Sequence, residues 1–199
     1  MRTILVALAG LTAVALVARP AHAAVFSPAQ SAISVGGGYG DFVNSGVRNI
    51  TSGQGVWDAR LLLGTRSPLA IEAAYTGTAG SEQDPIAPNP TMSTTQVTGT
   101  GRVNIVPKSR FQPFVLGGVG WVNMHSYGRD TAPIAAERFE HNNNGVVVPV
   151  GGGFAGYIGK HGMVDVRGTY NFLTNVRDFT NQNARPDMWM ATLRAGYAF

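Results

Sequence analysis

The chain has 199 residues, enough for one domain of ordinary size, and 13% of them are charged, against about 25% in a typical soluble domain. It has no cysteine, which excludes disulfides. Its formal net charge of +4 gives no indication of a nucleic-acid partner. Surfaces in contact with water normally carry more charge than this, which favours a surface covered by something other than water.

The first residues have the order of features typical of a secretory signal peptide. Arg2 precedes an apolar run from Ile4 to Val17, and the small-residue motif Ala21-His22-Ala23 follows. This run is shorter than the roughly 20 residues of a spanning helix, so a helical anchor is the weaker alternative. We expect residues 1–23 to be cleaved and residues 24–199 to form one barrel domain. The leader carries two basic residues and no acidic one, so its removal lowers the formal charge from +4 to +2.

Eight segments of the mature part alternate apolar with polar or small residues, as the two faces of a β-strand require. Each is near the roughly 9–11 residues that a tilted membrane strand needs, or somewhat longer. The predicted strands cover residues 31–40, 55–64, 69–78, 94–106, 112–124, 146–158, 163–173 and 188–199.

The breaks between these strands alternate between short turns and long loops. The short ones fall at 65–68, 107–111 and 160–162, and the long ones at about 41–54, 79–93, 125–145 and 174–187. Short turns at one end and long loops at the other are typical of bacterial outer-membrane proteins. The pattern predicts an all-β fold, an eight-stranded antiparallel up-and-down transmembrane β-barrel.

Charged residues inside the predicted strands fall on a single face of each strand. They are Asp58, Arg60, Glu72, Arg102, Asp165, Arg167 and Arg194. The opposite faces are apolar and include Trp57, Leu61, Ile71, Tyr75, Val166, Tyr170, Trp189, Leu193 and Tyr197. A charge that faces lipid at mid-membrane costs about 2–4 kcal/mol, so a face without charges indicates contact with lipid. We therefore expect the charged set inside the barrel and the apolar set against the membrane.

The reverse arrangement, a soluble barrel with charges in water, fits the polar faces less well. These faces are rich in Thr, Gly, Asn and Ala, and both lysines, Lys108 and Lys160, lie in short turns. Aromatic residues gather near the strand ends, where the two membrane interfaces would lie. The first, fifth and sixth strands carry no charge to decide their facing, so Trp121 and Tyr157 are left open.

The interior of an eight-stranded barrel is just filled by side chains, so charges within it need partners. The expected ion pairs are Glu72 with Arg102 or Arg60, and Asp165 with Arg167 or Arg194. The alternative is that these side chains point into a water-filled lumen.

Four segments carry a family resemblance. They are Phe114-Val115-Leu116-Gly117-Gly118-Val119-Gly120-Trp121, Val150–Phe154, Val166–Tyr170 and Leu193–Phe199. On these residues the mature chain resembles the small outer-membrane β-barrels of the OmpA-type and opacity-protein group. The resemblance implies a barrel in a bacterial outer membrane, surrounded by its lipids and lipopolysaccharide. Tyr197 and Phe199 look like the family's assembly signal for the outer-membrane insertion machinery. Since the chain ends with its last strand, we expect no periplasmic peptidoglycan-binding domain.

Two sets of residues suggest chemistry only weakly. One is His125-Ser126 with Glu137 and Glu140, and the other is His125, Asp130 and His141. Adjacent strand residues point to opposite faces, and triads depend on geometry rather than proximity in sequence. We expect no catalytic site, no cofactor and no metal.

Three functions remain open at this stage. The favoured one is a monomeric structural or surface-interaction barrel, serving membrane integrity, adhesion or recognition through its long loops. The others are a narrow pore or hydrophobic-solute channel and, less favoured, a lipid A-modifying enzyme. The four long loops contain five arginines and eight acidic residues, namely Asp41, Glu82, Asp84, Asp130, Glu137, Glu140, Asp178 and Asp187.

Overall fold

A computed structural model describes residues 26, 30–48, 53–81, 91–127, 142–174 and 186–199. The predicted signal peptide lies outside these residues and stays a prediction. The strands are β1 (Ser31–Phe42), β2 (Gln54–Leu63), β3 (Leu69–Ser81), β4 (Thr91–Asn104), β5 (Phe111–Tyr127), β6 (Asn142–Ile158), β7 (Gly162–Thr174) and β8 (Met188–Ala198). A four-residue helix, α1 (Ser45–Arg48), follows β1, and no helix in the described ranges is long and apolar enough to cross a membrane.

The strands form a closed barrel in which each strand pairs antiparallel with its neighbours in the chain. β1 and β8 close it, in a ladder that runs from the Ala32–Ala198 pair to the Phe42–Met188 pair. The predicted eight-stranded up-and-down barrel is therefore confirmed. Closure leaves no free strand edge, which hydrocarbon demands because lipid tails cannot satisfy backbone N–H and C=O groups.

Four strands extend three or four residues further toward the long loops than the sequence pattern predicts. β3 continues to Ser81 rather than residue 78 and β5 to Tyr127 rather than residue 124, while β4 begins at Thr91 rather than residue 94 and β6 at Asn142 rather than residue 146. These extensions consist mostly of polar or small residues, so their composition is that of loops, but the ladder continues across them. The side chain of Asn123 donates to that of Asn144 over 3.0 Å, beside their backbone pairing.

The short turns lie at one end of the barrel, here called the lower end, and are tied to the strands above them. The Tyr157 hydroxyl donates to the Thr65 carbonyl over 3.0 Å. The backbone N–H of Ala198 donates to the carbonyl of His161 over 2.7 Å. Each of the three turns uses a residue with left-handed backbone, namely Gly64 with a φ of 86°, Lys108 with a φ of 71° and Gly159 with a φ of 65°. The end that carries the long loops is called the upper end.

Barrel closure decides which way the uncharged strands face. In β1, Ile33, Val35 and Tyr39 point outward, while alternate residues line the interior. Trp121 in β5 is 45% exposed on the outside, and Tyr157 in β6 is 6% exposed inside. Each strand thus presents one face to the interior and the other to the surroundings.

Candidate functional site

The interior of the barrel has three layers. The lower plug is an apolar cluster of Ala32, Leu62, Ala70, Phe114, Leu116, Ala155, Tyr157, Met163 and Ala198. The upper plug is a second apolar cluster of Phe42, Val56, Met92, Val122, Met124, Val147, Leu173, Met188 and Met190. Between them lies the ionic cluster, formed by Asp58, Arg60, Glu72, Arg102, Asp165, Arg167 and Arg194. The order is visible along β2, where Asp58 and Arg60 stand between Val56 and Leu62.

Glu72 in β3 lies at the centre of the ionic cluster and contacts three arginines. Its carboxylate accepts two bonds from Arg167, at 2.7 and 3.1 Å. Arg60 reaches it at 3.2 Å and Arg102 at 3.3 Å. Both arginines that the sequence suggested for Glu72 are present, and Arg167 comes from β7 on the far side of the barrel. Charge-assisted bonds of this kind are the stronger class of hydrogen bond.

The other two carboxylates each bridge several strands. Asp165 accepts from Arg167 at 3.1 Å, from Arg102 at 3.2 Å, and from Arg194. Asp58 accepts from Arg60 at 2.8 Å and from Arg194 at 2.7 Å. The sequence suggested two separate groups of charges, but the structure joins all seven residues into one cluster. Six of the seven are buried and the side chain of Arg60 is 10% exposed, so the cluster is not bathed by a water-filled lumen.

Two further side chains contact the cluster, Asn104, which the sequence places on the same face as Arg102, and Phe114, which the sequence reasoning missed. The Arg102 guanidinium stacks 3.6 Å from the centre of the Phe114 ring, and that of Arg167 lies 5.1 Å from it. Asn104 accepts from Arg102 over 2.7 Å and donates to the Ser67 carbonyl, which ties the cluster to the turn between β2 and β3. Phe114 belongs to a strand whose facing was undecided, so no local pattern could place it.

Two glycines make room for the arginines. Gly36 is paired with Arg194, and Gly153 is paired with Arg167. A Cβ at Gly36 would lie 2.3 Å from Cγ of Arg194, and one at Gly153 would lie 2.8 Å from Cβ of Arg167. Backbone atoms of the neighbouring strand lie at least as close to each position, so each glycine allows both that strand and its arginine to approach. The runs of three glycines in the first and sixth strands were the available signal.

A small polar cavity adjoins the ionic cluster on the side of the upper plug. Its volume is about 20 Å³, which is enough space for one water molecule or one small ion. It is lined by Arg60, Thr76, Gln96, Thr98, Thr100, Leu116, Pro149, Thr169, Asn171 and Met190. The lining is thus mostly hydroxyl, amide and guanidinium groups.

The outer face of the barrel is an apolar belt. Ile71 is 55% and Leu193 58% exposed, and Trp57, Leu61, Tyr75, Val166, Trp189 and Tyr197 are also exposed. Tyr170 lies on the same face but is half-covered, because its ring packs 4.6 Å from that of Phe172 and its hydroxyl donates to Asp187. In the described strands, the outward positions carry no charge except at the upper end of β1, where Asp41 pairs with Arg48 at 3.1 Å.

Aromatic residues bound this belt at both ends. The upper ring contains Tyr39, Trp57, Tyr75 and Trp189, and the lower ring contains Phe111, Phe154, Tyr197 and Phe199. Such paired rings lie at the two interfaces of transmembrane barrels. Tyr197 and Phe199, the predicted assembly signal, are exposed in the lower ring, and their part in assembly stays a prediction.

Comparisons with known proteins bear on the fold. No protein-family model and no curated protein matches this sequence. Among solved structures, Ail, the attachment invasion locus protein of Yersinia pestis, matches with a TM-score of 0.57 and 14% identity, over 85% of this chain and 98% of that one. Neisserial surface protein A matches with a TM-score of 0.56 and 11% identity, over 85% and 94%. The N-terminal β-barrel domain of Pseudomonas aeruginosa OprF matches with a TM-score of 0.51 and 12% identity, over 85% and 97%.

The chain has the fold of a small outer-membrane β-barrel. Identities of this size show the fold and leave the role to the residues of the barrel itself. The belt of exposed apolar side chains between two aromatic rings is what a barrel in hydrocarbon requires. The fold and the apolar belt together place this barrel in a bacterial outer membrane, as the sequence predicts.

The residues considered for chemistry do not form a site among the described residues. His125 and Ser126 are consecutive residues of β5. Glu137, Glu140, Asp130 and His141 lie outside the described residues. Within the described ranges no three side chains of the metal-binding types come together. The predicted absence of an enzyme activity, a cofactor and a metal stays a prediction.

Two acidic residues of the predicted long loops lie at the upper rim of the outer-membrane barrel. Asp41 lies in β1, is buried, and pairs with Arg48 of α1. Asp187 accepts from the Leu173 backbone N–H over 3.0 Å, and its own carbonyl accepts from Val43 over 2.8 Å. The predicted loop limit was too wide at Asp41, which is the next-to-last residue of its strand and polar like a loop residue, whereas Asp187 directly precedes β8, as predicted. Both aspartates hold the bases of loops.

Proposed function

We propose that this protein is a monomeric, non-conducting outer-membrane barrel whose role is to hold its long loops at the cell surface for contact with lipopolysaccharide or another surface molecule. The proposal rests on one observation, the filling of the interior by two apolar plugs with the ionic cluster between them. A rigid, closed scaffold that carries long loops is a common basis for surface binding.

The filled interior disfavours the alternative of a pore. A solute that crossed the barrel would have to displace the upper plug, break bonds between Glu72 and Arg167, and then displace the lower plug. Separating one partner of a buried ion pair typically costs about 3–5 kcal/mol. The cavity beside the cluster is about 20 Å³, far too small for a hydrophobic solute.

The loops support the surface-interaction role by composition. Of the eight acidic residues in the predicted long loops, six remain after Asp41 and Asp187 are assigned to the rim. Arginines accompany them, and lipopolysaccharide presents phosphate groups that arginine binds in bidentate fashion. One similar barrel carries the words attachment and invasion in its name and was solved in complex with the heparin analogue sucrose octasulfate. Surface contact is therefore compatible with this scaffold.

The remaining partners follow from the same picture. Outer-membrane lipids would contact the apolar belt, and the insertion machinery would read Tyr197 and Phe199 during assembly. The proposed role includes no cofactor, no nucleic acid and no catalytic step, and a lipid A-modifying activity is its least favoured alternative.

The test combines conductance with loop replacement. Purified protein in planar bilayers should give no steady conductance, and replacing residues 128–141 by a short Gly-Ser linker should weaken binding to lipopolysaccharide micelles. The matched control is Lys160→Gln, a surface change at the lower end, which should leave binding unchanged. Heat-modifiable migration on gels verifies that each variant is folded. Steady single-channel currents from the wild type, or unaltered binding by the loop variant, would contradict the proposal.

A further inference from the structure

The small cavity beside the ionic cluster is a candidate binding site. We propose that it holds one small monovalent anion of the size of chloride, bound inside the barrel next to Arg60. This site is separate from the surface role of the loops and does not depend on it.

The ionic cluster carries a net positive charge. Among the described interior residues, four guanidinium groups face three carboxylates, which leaves one surplus positive charge. All four arginines share their carboxylate partners with another arginine, so the surplus is assigned by position, to Arg60, whose side chain is the least buried of the four. A buried charge without a counter-charge is costly, and Arg60 also lines the cavity.

Two hydrogen-bond donors that border the cavity have no partner among the described residues. The side chains of Gln96 and Asn171 are buried, at 2% and 3% exposure, and both line it. Their amide nitrogens have no hydrogen-bond partner among the described residues. Buried donors of this kind are normally satisfied, so the cavity calls for an acceptor.

The volume of the cavity fits one small ion. A cavity of about 20 Å³ exceeds the roughly 10–15 Å³ that a single water requires, and it is too small for a phosphate or a sugar. Water also accepts hydrogen bonds, but it does not balance a charge. In a low-dielectric interior a monovalent anion next to Arg60 does both, because the interaction of opposite charges is strong there.

Bromide provides the direct test, because it resembles chloride in size and is located by anomalous scattering. Crystals of the detergent-solubilised protein refolded in sodium bromide should show a peak in the cavity, near the Arg60 guanidinium and the amides of Gln96 and Asn171. The same crystals of Arg60→Gln should lack it. Arg60→Gln leaves three arginines and three carboxylates, so this variant is expected to fold.

Solution measurements give the second readout. Urea unfolding in micelles at equal ionic strength should show a higher midpoint in sodium chloride than in sodium gluconate, whose anion is too large for the cavity. Urea is chosen because guanidinium chloride would supply the ligand. In Arg60→Gln the halide affinity should fall about tenfold or more. Thr76→Leu, which fills the cavity, should abolish the difference, while Thr78→Val, on the same strand and outside the lining, should keep it.

Three possible results distinguish an anion site from a cavity that holds water. A bromide peak that disappears in Arg60→Gln, together with a chloride-dependent midpoint, supports the anion site. Absence of the peak in wild-type crystals with equal midpoints in chloride and gluconate would show that the cavity takes water only. A peak that persists in Arg60→Gln would overturn the charge argument.

Discussion

The two faces of the barrel wall are built from the same strands but obey opposite rules. Along β2, Asp58 and Arg60 point into the ionic cluster while Trp57 and Leu61 lie in the apolar belt. Neighbouring residues a few ångströms apart thus occupy a charged interior and an uncharged exterior. In a soluble barrel the assignment would be reversed, because water solvates charges on the outside. Alternation of apolar and polar residues therefore specifies a strand, whereas the solvent around the barrel specifies which face of that strand is charged.

The reason why a change of charge destabilises the barrel also differs between the two faces. On the outside a charge has no partner, because hydrocarbon supplies none. On the inside each carboxylate has at least two arginines within hydrogen-bond distance. Substitutions that add a charge outside or remove one inside should therefore both destabilise the barrel, for different reasons.

The largest effect is expected where one charge is removed from the centre of the ionic cluster. Glu72→Gln leaves Arg167, Arg102 and Arg60 with fewer counter-charges in a buried layer. We expect a loss of about 3–5 kcal/mol in the free energy of unfolding, measured by urea titration in phospholipid vesicles.

A double variant provides the control for Glu72. Glu72→Gln combined with Arg167→Met removes one charge of each sign, so it should cost less than Glu72→Gln alone. Equal or greater loss in the double variant would mean that the shape of the interior, rather than its charge, dominates.

A slightly smaller effect is expected on the outside. Leu193 lies between Trp189 of the upper ring and Tyr197 of the lower ring, near the middle of the belt. Leu193→Arg should cost about 2–4 kcal/mol in the same vesicle assay, because the guanidinium would face hydrocarbon. The matched control is Thr91→Arg at the exposed upper end of β4, for which about 0–1 kcal/mol is expected. Equal costs at the two positions would argue that the belt does not face a membrane.

The smallest effect concerns the contact between the ionic cluster and the lower plug. Phe114→Leu keeps an apolar side chain but removes the ring on which Arg102 stacks at 3.6 Å. We expect a loss of about 1–2 kcal/mol in unfolding free energy, from lost packing and a lost cation–π contact. Phe154→Leu, in the lower aromatic ring outside the barrel, is the matched control and should cost less. If the two variants were equally stable, the stacking would contribute nothing beyond apolar volume.

Much of the fold was available from local pattern. The alternation of side chains between two faces acts over two residues, and the short turns and long loops are visible as composition, so the strand number and the barrel type were predictable. The strand limits failed where polar ends such as Asn142 and Thr91 remain in the ladder, because pairing with a neighbouring strand outweighs composition. The interior charges were predictable as a set because lipid excludes charged side chains from the other face of each strand.

The sequence alone determined that eight strands alternate, that one face of each charged strand is free of charge, and that Arg and acidic residues share the interior. Only the tertiary structure decided that Glu72 meets Arg167 across the barrel, that Phe114 lies under Arg102, and that Tyr157 points inward while Trp121 points outward. The physical reason is that alternation is a property of one strand, whereas register and closure depend on all eight at once. A partner on the far side of the barrel has no local trace in the chain.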